Sequence, residues 1–338
     1  MPNPMAAIVG LAGTELTANE KHFIRRYNPY GFILFKRNCQ SPQQIKKLTR
    51  ELRDATGRSD TPILIDQEGG RVARLRGDGY ASLPPMQVFG DMYKKDKTRA
   101  RRALTVNVKI IAAELLALGI DVDCIPVLDV PVRGADNIIG DRAFARDPHV
   151  VADLGEVAVA AALSAGLMPI IKHIPGHGRA MCDSHLDLPV VKTPIKKLWE
   201  TDFLPFRQLH HAPWAMLAHV VYSAIDPVMP ASLSPIVIDY IRHNIKYDGV
   251  LIGDDLSMKA LRGSYARRTQ RSIDAGADLV LHCNGNMAQM EKVASACPPI
   301  SALSMRRLTR AKRMRAKPAA VHIPELLALR RRLLLKDS

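Results

Sequence analysis

Leu167-Met168-Pro169-Ile170-Ile171-Lys172-His173-Ile174-Pro175-Gly176-His177-Gly178 is the stretch from which the architecture of this chain is read. A short unbroken apolar run delivers a lysine and a histidine, and a Pro-Gly turn follows at once. An apolar run without alternation is the pattern of a strand buried on both faces, as in a parallel sheet. Polar residues directly after such a strand are where an α/β enzyme places its chemistry.

Working outward, the same pattern recurs at Ala6–Val9, Gly31–Phe35, Ile63–Ile65, Val122–Val127, Ala215–Ala218, Val250–Ile252 and Leu279–Leu281. Amphipathic stretches separate the runs: Thr17–Tyr27, Pro42–Ala55, Lys97–Leu118, Val150–Ala165, Ile195–His211, Ser234–Asn244, Tyr265–Ala275 and Met287–Ala296. Thr17 and Glu20 have capping-box spacing, and Gly119, Gly166 and Gly276 stand where helices end. Strand and helix alternating eight times predict an α/β chain folded as a (β/α)8 TIM-type barrel. A doubly wound sheet is the alternative, but no G-x-G-x-x-G follows the first strand. Residues 1–338 therefore read as one barrel domain, with 301–338 as a basic C-terminal helical extension carrying helices at Met305–Arg315 and Pro324–Leu335.

Lys and Arg outnumber Asp and Glu by 48 to 33, and ten of the fifteen surplus charges lie between Arg306 and Lys336. No nucleic-acid-binding signature accompanies them, so the tail reads as a solvated basic face rather than a nucleic-acid site. Cys39, Cys124, Cys182, Cys283 and Cys297 form no paired motif and read as reduced thiols. No basic residue precedes the first apolar run, and the uncharged, Ala-rich run Val157–Ile171 is too short to span a bilayer. A cytoplasmic location, no membrane span and a monomeric chain are expected.

The barrel reading gathers the polar residues at the strand ends into one ring. They are Asp66-Gln67-Glu68-Gly69-Gly70-Arg71, Asp129 with Gly140-Asp141-Arg142, Lys172-His173, His219, Asp254-Asp255, and His282 with Asn284. Carboxylates, cations and few aromatics suit a hydroxylated, partly anionic ligand. Metal-assisted hydrolysis would draw on His173, His177, Asp183, His185 and His219. Pro175-Gly176, however, forbids the helix that would put His173 and His177 on one face. Glycoside hydrolysis requires a carboxylate nucleophile and an acid/base across an anomeric carbon. Asp254, at the tip of a buried strand, suits the first role, while Asp255 could equally cap the following segment.

The chain resembles the family 3 glycoside hydrolases, in particular the single-domain bacterial β-N-acetylglucosaminidases of peptidoglycan recycling. The resemblance rests on Gly31–Asn38, Ile65-Asp66-Gln67-Glu68-Gly69-Gly70-Arg71-Val72 with Arg74-Leu75, Pro126–Val130, Gly140–Phe144, Lys172–Gly178, Asp183-Ser184-His185, Ala218–Tyr222, Gly253–Met258 and Ala275–Asp278. Ile174 stands where this family usually has Phe, and Gly253 where it usually has Ser. The resemblance implies Asp254 as nucleophile, His185 as general acid/base and Asp183 as its partner. It implies Asp66, Arg74, Arg142, Lys172 and His173 as the residues holding an N-acetylglucosamine ring. No metal and no other cofactor is implied. The implied reaction is retaining exo-hydrolysis of N-acetylglucosaminyl-1,6-anhydro-N-acetylmuramic acid, with or without peptide. A phosphorylase using the same site, or a sugar-binding protein without catalysis, is the alternative. An imidazole near its ordinary pKa is poised for proton transfer at neutral pH, and the glycines before it predict a movable loop that brings His185 to the sugar.

Overall fold

The computed structural model describes residues 3–181, 187–318 and 321–335. In chain order its strands are β1 (Met5–Gly10), β2 (Pro29–Leu34), β3 (Ile63–Ile65), β4 (Val122–Asp123), β5 (Met168–Ile174), β6 (Val190–Val191), β7 (Trp214–Leu217), β8 (Val221–Tyr222), β9 (Val250–Asp255) and β10 (Leu279–His282). All except β6 and β8 form a closed parallel barrel, sealed where β1 pairs with β10. The chain thus adopts the (β/α)8 barrel expected from its apolar runs. β6 and β8 make a separate two-stranded parallel ladder.

The runs are continuous because each strand has two dry faces. Ile8, Ile33, Leu64, Met168, Ile170, Trp214, Met216, Ile252 and Leu281 fill the barrel interior. Their neighbours Val9, Phe32, Ile65, Ile171, Leu217, Leu251 and Val280 pack outward against the helices. Side chains alternate across a strand, so two apolar surroundings demand an apolar residue at every position.

Two expected elements differ. The stretch Ile195–His211 forms two short helices, Ile195–Glu200 and Leu204–Gln208, instead of one. Between them Thr201 and Asp202 turn to meet Arg179 from a distant loop. The β4 ladder stops at Asp123 and resumes with a bridge from Val127 to Lys172, so Val122–Val127 is not one continuous strand. A further short helix, Gln87–Tyr93, lies between β3 and β4. Helices Ala302–Met314 and Ile323–Leu334 follow the barrel, and the second packs along helix Lys97–Ala117. Among the described residues no helix is long and apolar enough to cross a membrane.

The first helix, Ala18–Tyr27, opens as its sequence requires. Thr17 Oγ1 accepts the Glu20 N–H at 3.2 Å, and buried Glu20 accepts the backbone N–H groups of Thr17 and Ala12. Replacing Thr17 with Ala should lower the unfolding free energy by about 1 kcal/mol, read as an earlier urea midpoint with an unchanged slope.

Candidate active site

The site begins where β3 ends. Asp123 of β4 accepts the Gln67 N–H at 2.9 Å, and the Gln67 amide accepts the N–H groups of Arg74 and Leu75 and donates to the Leu75 carbonyl. These bonds fold residues 68–75 back over the barrel mouth. The fold-back needs glycine at two positions. Gly69 and Gly70 have φ of 103° and 54°, and a Cβ on either would strike Pro84 or Pro85 at 2.4 and 2.7 Å. Burial pushes the Asp123 carboxyl up to about 8, so it sits beneath this turn as a neutral acid at physiological pH.

The turn brings Asp66, Glu68 and Arg74 against Lys172 from β5. Lys172 Nζ, with its side chain 2% exposed, lies 2.8 Å from Asp66 Oδ1 and 2.7 Å from Glu68 Oε1. Arg74 reaches Asp66 Oδ2 at 2.9 Å. Arg142 grips Glu68 with two bonds of 2.8 and 2.9 Å, the two-pronged geometry that guanidinium favours. Burial alone would raise both carboxyls, but Lys172 with Arg74 for Asp66, and Lys172 with Arg142 for Glu68, outweigh it and hold them below the usual carboxylate range. Burial would likewise lower the Lys172 ammonium, yet Asp66 and Glu68 lift it above its ordinary value. Asp66, Glu68 and Lys172 are therefore ionised at neutral pH.

β5 shifts register between Lys172 and Ile174, and consecutive residues there serve adjoining walls of the same site. His173 donates Nδ1–H to Asp129 Oδ2 at 2.6 Å, while Asp129 Oδ1 accepts the backbone N–H groups of His173 and His177 at 3.1 and 2.6 Å. Burial opposes ionisation of Asp129, but His173 and these bonds bring its carboxyl down to about 2. That tautomer leaves His173 Nε2 as the ring's remaining polar atom. Burial, and then the neighbouring His173, brings the His177 imidazole down to about 4.

The two neighbouring aspartates of β9 divide by environment. Asp255 accepts from the Ser257 and Cys283 N–H groups at 2.9 and 3.0 Å and from the Ser257 hydroxyl. It fastens the end of β9 to β10. Asp254, which accepts the Asp255 N–H at 2.8 Å, lines the central cavity. His219 is structural: Nε2 meets the Asp255 carbonyl at 3.1 Å and Nδ1 the Ser232 hydroxyl at 2.6 Å, with burial lowering its pKa. His282 is buried edge-on against Tyr265 and is absent from the cavity lining.

Asp66, Arg74, Arg142, Lys172, His173 and Asp254 thus line one cavity of about 260 Å³, with Ile33, Phe35, Met216 and Leu281 as its apolar surfaces. Pockets for drug-sized ligands span roughly 300–1,000 Å³, so this volume suits one sugar ring rather than an oligosaccharide. Asp183 and His185 lie outside the described residues. The segment leading towards them is pinned as far as Ala180: Val132 donates to the Gly178 carbonyl, Asp136 to the Ala180 carbonyl, and Tyr222 Oη to the Gly176 carbonyl. Among the described residues no three His, Cys, Asp or Glu side chains converge as a metal would require. Glu68 and Asp129 stand in the strand-end ring read from the sequence, but the sequence assigns neither a role in the site. The Asp-x-Glu spacing could have pointed to Glu68, because alternate residues of an extended segment share a side.

A parallel barrel with a strand-tip carboxylate facing a cradle of paired cations and carboxylates defines a glycoside hydrolase type of site. Residues 6–314 match the family model for the glycosyl hydrolase family 3 N terminal domain, and the chain belongs to that family. It is 40% identical over 282 residues to a beta-hexosaminidase of Alkalilimnicola ehrlichii, covering 82% of this chain and 80% of the relative. It is 36% identical over 312 residues to one of Bordetella pertussis, covering 90% and 88%. Among solved structures, NagZ of Neisseria gonorrhoeae in complex with N-trifluoroacetyl-D-glucosamine superposes with a TM-score of 0.86 at 30% identity, covering 99% of each chain.

The neutral state of His177 makes stability depend on pH. Its folded pKa of about 4 lies below the unfolded value of about 6.5. Between these values the unfolded chain binds more protons, so stability falls as pH drops from 6.5 towards 4. The full shift corresponds to roughly 3 kcal/mol. Urea midpoints at pH 4.5 and 7 should differ less for His177→Gln than for the wild type.

Proposed function

We propose that the chain is a retaining, exo-acting β-N-acetylglucosaminidase. The observation that carries this reading is Asp254 at the tip of β9, in a monosaccharide-sized cavity with the Asp66–Arg74 and Lys172–Glu68–Arg142 pairs. The relative that binds an N-acylated glucosamine in an equivalent barrel supports the ring identity.

In this reading a sugar enters with hydroxyls on Asp66, Arg74, Arg142, Lys172 and His173. Asp254 attacks the anomeric carbon as the glycosidic C–O bond breaks, and His185, oriented by Asp183, protonates the leaving oxygen. The positive charge that develops on the ring faces Asp254 and Asp66. His185 then takes a proton from water, water attacks the anomeric carbon, and the bond to Asp254 breaks with net retention. The proposed substrate is N-acetylglucosaminyl-1,6-anhydro-N-acetylmuramic acid, with or without its peptide, met in the cytoplasm during peptidoglycan recycling. The free thiols of Cys39, Cys124, Cys283 and Cys297 fit a reducing compartment.

The test uses 4-nitrophenyl N-acetyl-β-glucosaminide with and without phosphate. Asp254→Asn should lower kcat by roughly 10³-fold or more, and His185→Ala by about 10²–10⁴-fold, with free N-acetylglucosamine as product. Hydrolysis surviving Asp254→Asn would remove the mechanism. A sugar 1-phosphate as product would replace hydrolysis with phosphorolysis.

A further inference from the structure

Within the basic C-terminal extension, helix Ala302–Met314 serves the barrel, packing Leu308 and Ala311 with its interior residues and pairing Arg307 with Asp278, whereas helix Ile323–Leu334 lies beyond the residues that match the family model. One of its arginines is not a solvated surface charge. Arg330 is 8% exposed, donates from one guanidinium nitrogen to Asn107 Oδ1 at 2.8 Å and from the other to the Ser82 carbonyl at 2.8 Å. Asn107 is itself fully buried, in helix Lys97–Ala117.

Ser82 belongs to the segment that backs the sugar-facing turn. Its neighbour Ala81 donates to Glu114 Oε1 at 2.7 Å, so helix Lys97–Ala117 and Arg330 hold residues 81–82 from two sides. Leu83 accepts the Gly70 N–H at 2.9 Å. Pro84 and Pro85 press on Gly69 and Gly70 so closely that neither has room for a Cβ. Those glycines adjoin Glu68, which orients Lys172 and Arg142, and the same turn ends at Arg74 on Asp66. Every link from Arg330 to the cavity is a direct contact.

We infer that Arg330 is a positioning residue for the sugar-binding turn, with the C-terminal helix acting as a brace that sets Glu68 and Arg74 through Ser82–Pro85. A buried guanidinium with two oriented bonds suits that role, because a lost partner leaves the Ser82 carbonyl and Asn107 unsatisfied and free to shift. The catalytic consequence rests on the glucosaminidase reading, while the brace itself is testable without it.

The experiment compares the full-length chain with Arg330→Ala and Glu114→Gln, the second of which weakens the other hold on the same segment. Hydrogen exchange on the folded proteins should show Gly70 and Glu68 amides exchanging at least about tenfold faster, with the strands of the barrel unchanged. With the 4-nitrophenyl substrate, KM should rise about five- to tenfold while kcat stays within about twofold, since the loss is of ring binding rather than of transition-state chemistry. Wild-type exchange at Gly70 in both variants overturns the inference. Faster exchange spread across the strands, with kcat and thermal stability falling together, also overturns it by giving Arg330 general stability alone. A wild-type chain that cleaves no glucosaminide would remove the proposed function and leave the exchange result to decide the brace.

Discussion

The ammonium of Lys172, buried between Asp66 and Glu68, is the interaction on which the site depends. An ion stripped of water is costly unless its partners are close and well aimed, and breaking such a pair by removing one member costs roughly 3–5 kcal/mol. Here contacts of 2.7 and 2.8 Å tie β5 to two points of the turn after β3. Arg142 then takes its orientation from Glu68 and Arg74 from Asp66. One buried charge therefore fixes the relative positions of three segments that come from different parts of the chain.

Around this ionised cluster the histidines are held in other states. His177 and His219 are neutral because burial disfavours their charged forms, and His173 is set by Asp129 in one tautomer. The charges of Asp66, Glu68, Arg142 and Lys172 are instead reinforced by one another. Asp255, spent on the Cys283 and Ser257 amides, keeps β9 in register with β10 beneath the Asp254 carboxylate.

The barrel was legible because strands with two dry faces must be apolar throughout, as the alternation of Ile8 and Val9 between interior and helix layer illustrates. Asp66, Arg74, Arg142, Lys172, His173 and Asp254 could be gathered from strand ends and family motifs, and they do line one cavity. What sequence did not carry was pairing. Nothing local to Glu68 announces that it holds Lys172 and Arg142, and nothing local to Asp129 announces His173. The split of Ile195–His211 has the same origin: its periodicity runs on, but Asp202 is claimed by Arg179. His219 and His282 looked alike as rim residues, and only their surroundings separate a satisfied core histidine from one packed against Tyr265.

The seam of the barrel, where β1 meets β10, sets an order of assembly. Asp66 and Lys172 are made early and Asp254 late, and the strand that holds Asp254 in register through Asp255 is the last of the barrel to be made. Asp254 and the Asp66–Lys172 pair cannot share one cavity until β10 has closed on β1. A nascent chain therefore carries the paired charges of its cavity well before Asp254. Because β10 returns to the first strand of the chain, that closing step joins its most distant segments, the kind of pairing that is slowest to form.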